Sequence, residues 1–354
     1  MRPPVESRLR ARFDSELESF LVARRKELAA IDSSLAPVAD ALESFVLNGG
    51  KRMRPAFAYW GYRGCDGPDC PEVMAAITAL ELLHAGALIH DDVMDASDTR
   101  RGEPAVHRRF ATRHAEQDWS GDPRRFGENA AILLGDLCLV WSDEMLNQSG
   151  VTPSRLAAAR PYFDSMRTEV MAGQYLDVWA QASRDSSAAQ ASKVVRYKSA
   201  KYTVERPLLI GAALAGAAAE QLIAYSGYGL ALGEAFQLRD DVLGVCGEES
   251  ETGKPTGGDL REGKRTYLVA AAMESADESQ RAAMDTLLGD PKLDDAGVRQ
   301  LQEIISATGS LARTEERISS LTSQALAALE SADFDPEAVT ALRDLAAAAA
   351  YRSR

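Results

Sequence analysis

Apolar residues recur at three- and four-residue spacing in segment after segment of this chain, and nowhere does a period-two alternation last long enough to build a sheet. Alanine, the strongest helix former, is abundant throughout. This pattern restricts the chain to an all-α fold. The spacing predicts helices at roughly 5–30, 34–47, 55–64, 71–92, 128–149, 153–181, 187–219, 220–245, 266–276 and 311–350. Breaks fall at Asn48-Gly49-Gly50, 64–71, 95–104, 117–127 and 244–263. No break has the length or Pro/Ser/Gly bias of a flexible linker. No repeat of roughly 20–50 residues is present either. The 354 residues are therefore expected to form one all-helical domain, 1–354.

Composition narrows the function classes. Apolar residues at 45% and charged residues at 26% are ordinary for a globular chain and exclude a disordered one. Forty Lys and Arg against fifty-three Asp and Glu leave a net charge of −13, which argues against a nucleic-acid partner. Four scattered cysteines do not make a disulfide framework, so a reducing cytoplasm is the simpler expectation. Cys65 and Cys70 resemble half a zinc site, but no second ligand pair follows and zinc is not expected. The first twenty residues lack the apolar core of a signal peptide. The apolar run at 207–219 is too short to span a bilayer, so no transmembrane segment is expected.

Two helical runs end in paired acids. EVMAAITALELLHAGALIHDDVMD closes on Asp91, Asp92 and Asp95; Asp91 and Asp95 share a helix face, with His84 on the same stripe. Like charges at that spacing repel, and acid at a helix C-terminus opposes the macrodipole. The pair suits Mg²⁺, which takes one or two carboxylates and completes its shell with phosphate oxygens. A single cluster is equally compatible with surplus acid on a solvated helix end. The second run, FQLRDDVLG, ends in Asp240 and Asp241 and is followed by a Gly- and Lys-rich stretch with Lys254, Lys264 and Arg265. Helix, acid pair, then basic glycine-rich loop fits a metal-bridged phosphate closed over by lysines. NGGKRMRP carries Lys51, Arg52 and Arg54 just before a helix, where amides and cations suit an anion. DTRRGEPAVH places Arg100 and Arg101 side by side, and RYKSAKYTVERP adds Lys198 and Lys201. Any one of these reads as exposed charge; together they read as two anion sites on one helical cavity.

GGKRMRP, ELLHAGALIHDDVMDASDTRRGEPAVH, FQLRDDVLG and GKPTGGDLREGKRT, in this order, closely resemble the trans-isoprenyl diphosphate synthases, or polyprenyl synthetases. The resemblance implies an isoprenoid-synthase-type helical bundle around a deep cavity, a homodimer, and head-to-tail condensation of isopentenyl diphosphate onto an allylic diphosphate. It implies that Lys51, Arg54, His84 and Arg101 bind isopentenyl diphosphate, while Arg100, Lys198, Lys254 and Lys264 neutralise the allylic diphosphate. About three Mg²⁺ are implied, held by Asp91, Asp95 and Asp240, with Asp92 and Asp241 also facing metal. Lys198, Ser199 and Gln237 are implied to face the allylic cation. Where the family commonly has DDxxD, the second motif here is DDVLG, with Gly244 in the last acid's place.

Product length follows from geometry. A tail running down the helix from Asp91 gains about 5.4 Å per turn, roughly one isoprene unit. Farnesyl-type members resemble one another in carrying an aromatic floor four or five residues before the first Asp; here those places are Gly86 and Ala87, with Leu83 and Leu80 as partial blocks further down. The expected product has twenty carbons, and Gly86→Phe is expected to shorten it. Shorter (farnesyl) or longer products of twenty-five carbons and up are the alternatives in kind. A terpene cyclase, or a non-catalytic partner subunit, is the alternative in class; the first lacks the isopentenyl site and the second has lost an aspartate cluster.

Overall fold

The computed structural model describes residues 5–183, 187–247, 256–290 and 292–350. Almost all of these residues are helical, apart from connecting turns and a two-stranded hairpin, as the spacing predicts. By its contacts the chain groups into two compact units: residues 1–59 with 68–156, and 60–67 with 157–354. No linker marks the division, because its boundaries fall near or inside helices that run from one unit into the other.

The first unit contains α1 (Val5–Ile31), a 3₁₀ turn (Ser33–Leu35), α2 (Ala36–Leu47) and the start of α3 (Met53–Gly64). It continues with α4 (Pro71–Met94), strands β1 (Thr99–Arg100) and β2 (Glu103–Pro104), α5 (Val106–Glu116) and α6 (Pro123–Asn147). Helix α4 packs along α6, and α5 covers α6 as well. The α4–α6 approach is close because glycines face each other. A Cβ on Gly86 would lie 2.9 Å from the Gly135 carbonyl, and one on Gly135 would strike the His90 ring. Helix α4 is long and apolar enough by composition to cross a membrane, but most of that window is buried inside the protein. Its apolar character is thus accounted for by packing: Leu80, Leu82 and Leu83 are buried, each worth about 1.5–3 kcal/mol.

The second unit holds the rest of α7 (Pro153–Ser183), α8 (Ala188–Val194), a π-helical segment (Val195–Glu205), α9 (Arg206–Ala215) and α10 (Ala219–Cys246). After these come α11 (Gly258–Glu262), α12 (Tyr267–Ser275), α13 (Glu278–Leu287), α14 (Asp295–Ala307), α15 (Ser310–Leu329) and α16 (Pro336–Ala350). Its core gathers Leu238, Val242, Leu268, Leu301, Ile305 and Ile318 around α10. The segment read as one helix over 187–219 contains the π-helical stretch. A Cβ on Gly173 would lie 2.4 Å from the Lys198 amide nitrogen, and Cβ atoms on Gly229 and Gly233 would meet the backbone of Glu205 and Ala200 at 2.5 Å. Three glycines on α7 and α10 thus let the π segment press against both helices, a geometry often found at functional sites.

Several expectations need correction. The 311–350 helix is two helices, parted before Pro336, which starts α16 at a position where its missing N–H costs nothing. Helices α5, α11, α13 and α14 were not expected. The break at 117–127 is shorter than expected, since α6 begins at Pro123 behind an Asp122 cap; Trp119 closes the connection edge-on against His114 and Phe126.

Candidate active site

The first aspartate cluster sits at the end of α4. The Asp95 amide donates to the Asp91 carbonyl at 2.8 Å, the last bond of the helix, and the chain leaves it at Ala96 with positive φ (51°). Adjacent residues on a helix point about 100° apart, so Asp91 and Asp92 face different surroundings. Asp92 is fully buried and accepts two hydrogen bonds from Arg100, one of them from Nε at 2.8 Å. Burial pushes the Asp92 carboxyl up, with Arg100 opposing the rise. Asp91 is half-buried, and Arg100 reaches it at 3.4 Å. Arg100 thus pairs with Asp92 and reaches Asp91, which places this expected diphosphate ligand directly on the first aspartate cluster.

Arg100 and Arg101 lie on a tight hairpin in which Arg100 pairs with Glu103. Its two loop residues, Arg101 (φ 55°) and Gly102 (φ 79°), both have positive φ, as a two-residue hairpin of matching twist requires. The turn sends Arg101 to the Asn48 carbonyl at 2.9 Å. Gly49 and Gly50 (φ 89° and 87°) make room for it: a Cβ on either would lie 3.1–3.3 Å from the Arg101 side chain. The same loop carries the buried Arg52, which donates to Glu81 (2.9 Å), Asp14 (2.8 Å) and the Val46 carbonyl (2.8 Å). Arg52 is therefore the anchor of the loop, with Lys51 exposed on one side and Arg54 in the first turn of α3 on the other. Burial, then the charges of Arg54, Arg101, Arg100 and Arg52, hold the His84 imidazole well below its usual range. That downward push reflects burial and a positive field from arginines in the same unit, a field that favours an anion.

Gly86 is buried against α6 and offers no open floor, which corrects the expectation for Gly86→Phe: an aromatic there would strain the α4–α6 contact. Ala87 is half-buried, one turn above the fully buried Leu83.

The second cluster, on α10 in the other unit, divides in the same way. Asp241 is buried, and both its oxygens are engaged: Oδ1 accepts from Gln237 Nε2 at 2.9 Å and Oδ2 from the Tyr267 backbone amide at 3.2 Å. Burial pushes the Asp241 carboxyl up to about 7; Asp259 and Asp177 add to the rise, and the two hydrogen bonds oppose it. Asp241, an expected metal ligand, ties Gln237 to the start of α12. Asp240 is half-buried beside it. Lys198 donates to Asp177 at 2.5 Å, Ser199 is buried in the π segment, and Lys264 lies 2.6 Å from Glu262 and 3.8 Å from Asp259. Lys254 lies outside the described residues.

Sequence reasoning missed Asp177, Asp259 and the Arg52–Glu81 pair. Asp177 is a lone acid in an apolar stretch and gives no spacing signal, whereas Asp259 was visible in GGDLREGK. Among the described residues, no three His, Cys, Asp or Glu gather as a ready metal cage, and all four cysteines are free. The donors are hard carboxylate oxygens, one or two at a place and flanked by cations, which is the set that Mg²⁺ completes with phosphate oxygens. The residues fit that ion.

An all-helical chain in which two long helices each end in paired aspartates has the fold of an isoprenoid synthase. The comparisons agree. A family model described as polyprenyl synthetase matches residues 36–305. A geranylgeranyl pyrophosphate synthase from Corynebacterium glutamicum, solved with isoprenyl diphosphate and magnesium, is 39% identical, covers 99% of this chain and 100% of that one, and superposes with a TM-score of 0.95. A short chain isoprenyl diphosphate synthase from Methanothermobacter thermautotrophicus is 32% identical over 249 residues, 70% of this chain and 71% of that protein. A nonaprenyl diphosphate synthase from Mycobacterium tuberculosis is 31% identical over 315 residues, 86% and 84% of the two chains. The chain belongs to the polyprenyl synthetase family.

Proposed function

We propose that this enzyme of prenyl transfer condenses isopentenyl diphosphate head-to-tail with a dimethylallyl, geranyl or farnesyl diphosphate, and that its product is geranylgeranyl diphosphate. The observation that carries the reading is the basic glycine turn of Lys51 and Arg54, held to the hairpin where Arg101 donates to the Asn48 carbonyl at 2.9 Å, in the same unit as His84 and the Asp91–Asp95 pair. A terpene cyclase would lack this basic site, which serves a second diphosphate. Lys51, Arg54, Arg101 and His84 bind isopentenyl diphosphate and hold its alkene end for attack. Asp91, Asp95 and Asp240 hold about three Mg²⁺. Bound there, the ions stabilise the charge that builds on the leaving diphosphate. Lys198, Lys254 and Lys264 neutralise the same group, and Ser199 and Gln237 face the cation. The allylic carbon–oxygen bond breaks, the alkene forms the new carbon–carbon bond, and the released diphosphate accepts the proton lost from the adduct. No protein nucleophile is required.

The test is incubation with allylic diphosphate alone and with added isopentenyl diphosphate. Elongation only in the second case supports the reading; a hydrocarbon from the allylic substrate alone supports a cyclase instead.

The twenty-carbon product rests on the α4 face below Asp91, where Ala87 leaves space and Leu83 and Leu80 close it further down. Ala87→Phe is expected to shift the product to fifteen carbons or fewer, read by mass spectrometry. An unchanged product would remove the α4 face as the ruler. The reading also places the enzyme in the cytoplasm, in keeping with its four free cysteines, and as a homodimer, in keeping with the exposed Ile132, Leu133 and Val140 on α6. A sedimentation mass twice the 38.2 kDa of the chain is the matching observation.

A further inference from the structure

Glu169, Gly173 and Asp177 stand four apart on α7 and so share one face of that helix. That face lies along the π segment. Gly173 lets the Lys198 backbone in, and Asp177 accepts from Lys198 Nζ at 2.5 Å. At the other end, Glu169 holds two cations at once. Its Oε1 accepts from Lys201 Nζ at 2.5 Å and from Arg206 Nη2 at 2.8 Å, and its Oε2 accepts from Arg206 Nε at 2.7 Å. These partners are the two residues that close the last π turn: the Arg206 amide donates to the Lys201 carbonyl, five residues back. In an α-helix, residues five apart point about 140° away from each other, which is a poor arrangement for sharing one carboxylate. Water has little access to the group, since the side chains of Glu169, Lys201 and Arg206 are 19%, 12% and 14% exposed. Burial pushes the Glu169 carboxyl up, but the bonds from Arg206 and Lys201 outweigh it and hold the group below the usual carboxylate range. Glu205, between the two cations in sequence, accepts from Ser226 Oγ at 2.7 Å and lies 3.6 Å from Arg206 and 3.9 Å from Lys201.

We propose that Glu169 is a positioning residue of prenyl transfer: by gripping Lys201 and Arg206 together it holds the π turn, and that turn aims Lys198 and Ser199 at the allylic diphosphate. The proposal rests on the roles given above to Lys198 and Ser199. A π turn carries one more residue between bonded groups than an α turn, and losing it would rotate Lys198 and Ser199 by about 100° relative to α9. The glycines of α7 and α10 permit the close approach of the segment but do not select its register. The charged clamp does. Glu169 acts through Lys198 and Ser199, without touching substrate.

The test is kinetics on the full chain with each substrate varied in turn, for Glu169→Gln and Arg206→Lys, with melting temperature measured alongside. Both changes are also made in a Lys198→Ala/Ser199→Ala background, and slow variants are read in single turnover with excess enzyme. Glu169→Gln is expected to lower kcat/KM for the allylic diphosphate about 10-fold to 100-fold, the scale for misplacing a group by about 1 Å. KM for isopentenyl diphosphate is expected to stay within about twofold of wild type, a split that a general loss of folded protein does not produce. Arg206→Lys keeps the charge, gives up the paired bonds and is expected to show the same split more weakly. Should Glu169→Gln fail to fold, Arg206→Lys carries the comparison. In the double-alanine background either change is expected to cost less than about threefold, because nothing is left for Glu169 to position. Equal losses in the two backgrounds overturn the proposal, and so do equal losses for the two substrates or kinetics that match wild type. If Lys198→Ala/Ser199→Ala itself matches wild type, the reading of the site falls, and the proposal with it.

Discussion

Asp91→Asn is expected to lower kcat/KM for the allylic diphosphate by about a hundredfold to a thousandfold, the scale set by removing one charge-stabilising group from a preorganised site. The substitution keeps the side-chain shape and removes one carboxylate charge from the end of α4. Arg100 keeps its principal partner, because its short contacts are to Asp92. Folding stability should therefore hold or rise slightly, since a carboxylate at a helix C-terminus beside Asp95 is unfavourable in the absence of metal. Asp92→Asn is the contrast: the buried Arg100–Asp92 pair loses its charge complement, and stability falls along with activity. Steady-state kinetics over a Mg²⁺ series, with urea unfolding of each variant, separates the two roles. Near wild-type kinetics for Asp91→Asn would remove it from the metal site.

Glu81→Ala is expected to destabilise the protein by about 3 kcal/mol, at the lower end of the range for breaking a buried ion pair. Arg52 and Glu81 are both buried, and Arg52 has positive φ (51°), so the loop conformation depends on the bonds its guanidinium makes. With Glu81 removed, Asp14 and the Val46 carbonyl remain, which keeps the loss below the maximum. The functional effect follows from position: Lys51 and Arg54 flank Arg52, so freeing it should raise KM for isopentenyl diphosphate more than it lowers kcat. Glu81→Gln retains a hydrogen-bond acceptor and should recover part of both losses. Urea unfolding and substrate-dependence curves measure the two effects. Equal stability for Glu81→Ala and wild type would show that the pair does not hold the loop.

The all-α class was legible because tertiary burial imprints helical spacing on the sequence, and long helices such as α1, α4, α7 and α10 were read to within a few residues. Helix α5 was missed because its inward side chains include His107 and His114, which a reading of apolar spacing passes over. Helices α13 and α14 carried visible signals in their Asp277 and Asp294 caps, and the Asp277/Gln280 capping box is readable by eye. The π segment left no trace, since its cause is the close approach allowed by Gly173, Gly229 and Gly233, far from it in sequence. The site shows the same division. Asp91, Asp95 and Asp240 announce themselves by position at helix ends, but which member of each Asp-Asp pair turns inward is decided by Arg100 in one unit and by Gln237 and Tyr267 in the other. Asp259 was in plain view, but its place against Gly244 exists only once α11 is folded onto α10.

The central claim, Mg²⁺-dependent elongation of an allylic diphosphate, is tested most directly by the mass of the products. The purified chain is incubated with isopentenyl diphosphate and each of dimethylallyl, geranyl and farnesyl diphosphate, with Mg²⁺ or with EDTA. The account predicts a common twenty-carbon diphosphate from all three primers, one inorganic diphosphate released per isopentenyl unit added, and no product with EDTA. No five-carbon extension from any primer in the presence of Mg²⁺ would contradict it.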